Sequence, residues 1–159
     1  MSIEPILDIF EWGTPSFTRL TKLIRRRVIE EAVEADLPGL IFTFVWNLDD
    51  PADHAYVAHL IEPVLTAGAR LDFVEIRADQ ATRLGREGTS DRLEAKRSKR
   101  DVEWTRAHLV ETDAGHRMTS RPGETIGPWP HLVLDNSGND PAVPGLAIIT
   151  ALGLPPPPP

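Results

Sequence analysis

Eight of the chain's 17 basic residues lie between Arg83 and Arg106, although the 159-residue chain as a whole carries a net charge of −7. A cationic island in an acidic chain marks a local anion site. Arginine suits such a site because its planar fork binds phosphate oxygens two at a time and stacks on a flat base. Two acids, Asp49 and Asp50, follow an apolar run directly. Carboxylates there suit a Mg²⁺ ion or the proton of an acceptor hydroxyl. A surface charge run, or a helix cap by one of the acids, is the competing explanation. Arg25 and Arg26, with Arg27 beside them, and Arg121 in a Gly/Pro-rich stretch are further candidates to hold a charged substrate.

The elements that position these residues alternate. The apolar spacing from Phe17 to Val33 predicts a long amphipathic helix opened at Thr14-Pro15 and stopped at Pro38-Gly39. Residues 40–46, LIFTFVW, read as a strand buried on both faces. A helix follows from Pro51 to about Thr66. Residues 71–76 form the next strand, and Asp79 caps the helix after it. Residues 88–100 lack apolar periodicity and read as a loop or frayed helix. Ser98-x-x-Asp101 opens a helix to about residue 113, residues 131–135 form a short strand, and a last helix spans 141–152. Helices between strands imply a parallel sheet, with ligands beyond the carboxyl ends of the strands. Asp49, the arginines after Arg77, and Asp135-Asn136-Ser137 all lie at such ends. The expectation is one α/β domain over residues 1–154, with residues 155–159 a polyproline tail.

Taken together, LIFTFVWNLDDP, LDFVEIRADQATRLGRE, SKRDVEW, HRMTSRPGE and LVLDNS resemble the shikimate kinase-like small-molecule and nucleotide kinases, a P-loop class. The resemblance implies a three-layer α/β/α fold with a parallel sheet and an arginine lid, here residues 83–100, that closes over ATP. It implies that Arg86 packs near the adenine, that Arg92 reaches the phosphates where negative charge builds in phosphoryl transfer, and that Asp135, Asn136 and Ser137 lie beside the base. ATP, Mg²⁺ and a small-molecule acceptor are the partners it implies.

One departure is large. None of the three lysines, Lys22, Lys96 and Lys99, sits in G-x-x-x-x-G-K-[ST], the loop that holds phosphate in this class. Met1–Pro5 resembles an internal point of the family, so the expectation is a late start that leaves about three strands, with a gap or a repaired pairing of 40–46 with 71–76. Such a chain is expected to be inactive alone, as a non-catalytic fragment, an anion binder or an interaction module.

Other chemistries lack their residues. There is no cysteine, so disulfides and thiol chemistry are out. His54 and His59 are five apart, off one helix face, so no zinc site is expected. The net −7 and the lack of aromatics among Arg83–Arg100 speak against nucleic acid. No run approaches the roughly 20 apolar residues of a membrane span, and the acidic start is no signal peptide. A soluble cytoplasmic protein is expected. The tryptophans are expected in a core or a pocket wall.

Overall fold

The computed structural model describes residues 3–127, 129, 131–138 and 140–155, with nothing of the side chains of residues 91, 95 and 97. The tail beyond Pro155 lies outside the described residues. The order is α1 (Glu4–Leu7), α2 (Pro15–Glu34), α3 (Pro51–Thr66), β1 (Phe73–Arg77), α4 (Gln80–Arg86), α5 (Ser90–Ala95), a 3₁₀ turn (Arg97–Lys99), α6 (Val102–Gly115), β2 (His131–Asp135) and α7 (Ala142–Leu152).

Local chemistry sets the helix starts. The Thr14, Asp50, Asp79 and Asp101 side chains accept from the first-turn amides of α2, α3, α4 and α6, and Pro15 and Pro51 follow two of these caps. The cationic stretch is more ordered than its sequence suggests. It forms α5 and the 3₁₀ turn, and Ser98 anchors it by donating its N–H and Oγ–H to the Glu4 carboxylate at 3.1 and 2.5 Å. Gly88 turns the chain between α4 and α5 at φ +91°, and a Cβ there would press on Val102 at 3.0 Å.

The fold is mixed α and β with a small sheet. β1 and β2 pair in parallel, Phe73 opposite His131 and Arg77 opposite Asp135. Two strands, not about three, are paired among the described residues, and neither the gapped sheet nor the repaired pairing is seen. Residues 40–46 are extended but join no strand, and among the described residues 38–46 make no backbone hydrogen bond. Nor are they buried on both faces. Phe42, Phe44 and Trp46 are half-buried on one side, while Ile41 is 94% exposed and Val45 76%. β1 meets its in-register partner in β2, whereas 40–46 reaches β1 only where the Trp46 ring lies 6.0 Å from that of Phe73.

The buried apolar core sits mainly among the first three helices: Ile6, Phe17, Ile29, Val57, Leu60 and Ile61. Strand side chains are half-buried or exposed. Trp46 and Trp129 stand in one aromatic row with Phe42, Phe44 and Phe73, while Trp12 and Trp104 are about half exposed, contrary to a core role. No helix among the described residues is long and apolar enough to cross a membrane.

Candidate functional site

Two clusters gather near the sheet. The first contains the expected nucleotide residues. Arg86, in the last turn of α4, donates to the carbonyls of Asn136 (2.6 Å) and Gly138 (2.7 Å). Ser137 donates its N–H to Asp135 at 2.7 Å and its Oγ accepts from the Asp79 amide at 3.4 Å. The Ser137 hydrogen bonds hold the Asp135 carboxyl below its usual range. Arg86 and residues 135–137 thus meet. They meet as a clamp of a side chain on main-chain carbonyls.

Arg83, Arg92 and Arg106 are paired in the same inward way. Arg92 forms a fork on the Glu87 carboxylate at 2.8 and 2.6 Å, and Glu87 is 4% exposed. Arg83 forks onto Asp113 at 2.9 and 2.5 Å, which holds that carboxyl below its usual range. Arg106 donates to the Glu87 carbonyl at 3.1 Å. Burial lowers the pKa of Lys99, with Glu87 opposing that shift. A buried carboxylate needs such partners, and Glu87 takes Arg92 away from the role of a free phosphate ligand. No described contact joins Arg92 to Arg86 or to 135–137.

Asp49 and Asp50 point apart in role. Asp49 accepts from Arg117 Nε at 2.8 Å, whereas Asp50 caps α3 by accepting from the Ala52 amide at 2.8 Å. Among the described residues no three His, Cys, Asp or Glu side chains gather to hold a metal ion. The three expected substrate arginines do not converge. Arg26 binds Glu30 (2.6 Å), Glu62 (3.0 Å) and the His59 carbonyl, which fastens α2 to α3. Arg25 is half-buried on the same helix. Arg121 stands apart from both, on a cavity of about 400 Å³ with Arg77, Ser120, Glu124 and His131.

That cavity borders the second cluster, which sequence reasoning misses. Glu75, on β1, accepts from Arg77 Nε (2.7 Å), the Ser120 amide (3.0 Å) and His131 Nε2 (3.1 Å). Arg77 also donates to the Ser120 carbonyl at 2.5 Å and its Oγ at 2.7 Å. Burial pushes the Glu75 carboxyl up, but the hydrogen bonds from Arg77 and Ser120 outweigh it and bring the pKa down to about 2. A signal was present: a charge inside an apolar strand has to be paired, and Arg77 two residues on shares its face.

Ser120, His131 and Glu75 are the residue types of a hydrolytic triad, and the geometry refuses that role. Ser120 Oγ and the Glu75 carboxylate both approach His131 Nε2, at 3.0 and 3.1 Å, while Nδ1 is buried without a partner. A relay needs the hydroxyl and the carboxylate on opposite ring nitrogens. The cluster is a staple between the sheet and the 117–126 loop. Beside it, Arg117 binds Glu124 (2.7 and 3.0 Å) and Asp49, and the Leu48 amide donates to the Arg117 carbonyl at 2.8 Å. Apart from His131 Nδ1, the polar groups described in both clusters are paired within the chain, whereas residues 38–46 make no backbone hydrogen bond among the described residues. No protein-family model, curated protein or solved structure matches the chain.

Proposed function

We propose that this chain is a non-catalytic interaction module whose part-built sheet takes up an extended polypeptide. One observation carries the reading: residues 38–46 are extended and uncharged, with no backbone hydrogen bond among the described residues, while the two-stranded sheet leaves one edge of β1 unpaired. This stretch is largely exposed, so strand pairing gains by covering its apolar side chains and linking its backbone. Strand addition to such an edge draws affinity from the main chain and selectivity from alternate side chains.

A second reading is a kinase-like protein that binds ATP and Mg²⁺ and, in complete form, hands a phosphoryl group to a small-molecule hydroxyl. The meeting of Arg86 with the Asn136 loop favours it. It requires a phosphate-holding loop, and it requires Arg86 and Arg92 to exchange carbonyl and carboxylate partners for phosphate oxygens.

Anisotropy of a labelled peptide copying residues 37–50, beside calorimetry with Mg-ATP, tests the first reading against the second. The module is expected to bind the peptide with a Kd of about 10 μM and to give no Mg-ATP heat below about 1 mM. Micromolar Mg-ATP binding with no peptide binding would reverse the assignment.

A further inference from the structure

The edge of β1 can be resolved atom by atom. The Asn136 amide, just past β2, donates to the Arg77 carbonyl at 2.6 Å. In a strand the N–H and C=O of one residue point the same way, and those of its neighbours point the other way. Phe73, Glu75 and Arg77 therefore bond to β2, and the main-chain groups of Val74 and Ile76 face outward. Ile76 is 55% exposed. The other unpaired extended run reaches β1 at a ring contact, Trp46 with Phe73 at 6.0 Å between centroids.

Two features bear on what completes the pairing. The residues at issue suit the centre of an interface. From Leu37 to Leu48 there is no charged side chain, so two chains of net −7 can meet there without opposing like charges. Finally, one chain carries both halves of the contact, an open edge and an unpaired apolar segment. That self-complementarity is what a two-fold interface uses twice.

Resting on the reading of the chain as an interaction module, we infer that the occupant of the β1 edge is a second copy: residues 40–46 of each chain lie along β1 of the other, so that a two-fold pair of three-stranded sheets forms. Ile41 and Val45, bare in the single chain, are covered in the pair. The aromatic side, Phe42, Phe44 and Trp46, keeps its place in the row that leads to Phe73.

Sedimentation equilibrium of the full chain tests this, with Ile41→Lys/Val45→Lys as the disrupting variant and Leu23→Lys, on the exposed face of α2, as the control. The wild type and Leu23→Lys are expected to be dimers, and Ile41→Lys/Val45→Lys to dissociate at least about 100-fold more readily. Both substituted sites are exposed, so the folded monomer is expected to keep its circular dichroism spectrum. A dimer that survives the double substitution, or one lost in Leu23→Lys alone, overturns the inference. So does a wild type that stays monomeric at about 100 μM. In that case, binding of the labelled 37–50 peptide by the monomer leaves the module reading standing with another protein as the occupant. A monomer that ignores the peptide removes both.

Discussion

Residues 40–46 and β1 look alike as sequence and end differently as structure. LIFTFVW is the more strand-like of the two, uncharged and rich in β-branched and aromatic residues. FVEIR carries two charges in five residues. Yet the charged run is the paired strand. Its Glu75 and Arg77 are the reason the surroundings hold it. They join β1 to Ser120 and His131 and so bring the 117–126 loop and the start of β2 onto one face of the sheet. Residues 40–46 have only ring contacts to offer, and rings do not satisfy amides. Strand propensity describes fit to a half-buried pleated surface, not a backbone preference that acts alone. The polar cluster supplies that fit at β1, and nothing in the single chain supplies it at 40–46.

The sharpest way to break the contrast is to remove what holds β1. Glu75→Ala leaves Arg77 Nε, the Ser120 amide and His131 Nε2 without their acceptor. The expected loss is about 3 kcal/mol of unfolding free energy, read by urea titration, in the range for removing a charged acceptor from half-buried donors. The same carboxylate can be read by acid. Its folded pKa, about 2, lies below the ordinary 4.5, so it stabilises the fold above pH 4.5. That contribution is lost as pH falls from there through 2, and is worth about 3 kcal/mol at most. Glu75→Ala is expected to lose this part of the acid response. An unchanged acid profile would mean the cluster does not hold the sheet.

These residues show where the sequence is legible and where it stops. The starts of α2, α3, α4 and α6, the 131–135 strand and the last helix all rest on local chemistry such as caps, prolines and apolar spacing, and the chain shows them openly. The partners of Arg83, Arg86 and Arg92 are hidden, because Asp113, Asn136 and Glu87 become neighbours only after folding. A field of arginines looks like an anion site until the acids that neutralise it are placed. Glu75, Ser120 and His131 are hidden for the same reason, since the staple spans 56 residues. The fate of 40–46 is the least legible, because it depends on the absence of a partner within the chain.

A gentler comparison leaves both runs intact and asks which amides are protected. Glu75 and Arg77 face β2, whereas Val74, Ile76 and residues 40–46 face no strand in the single chain. In the monomeric Ile41→Lys/Val45→Lys variant, the Glu75 and Arg77 amides are expected to exchange about 100-fold more slowly than those of 40–46, equivalent to about 3 kcal/mol of local opening. In the wild-type pair the difference is expected to shrink, as 40–46, Val74 and Ile76 all become slow. Equal protection of both runs in the monomer would show that 40–46 already has a partner.

Trp46 is where the two runs touch, and the smallest expected effect lies there. Its ring packs on Phe44 (5.8 Å), His54 (5.1 Å) and Phe73 (6.0 Å), yet its indole Nε1 is buried with no hydrogen-bond partner. Trp46→Phe gives up ring area and a little packing, which destabilises. It also removes an unpaired buried donor, which stabilises by a similar amount. The net change in thermal unfolding is therefore expected to stay within about 1 kcal/mol in either direction. A loss well beyond that would mean that the indole N–H has an acceptor. Such an acceptor would tie the end of the 40–46 run to its surroundings by more than the ring packing on Phe44, His54 and Phe73.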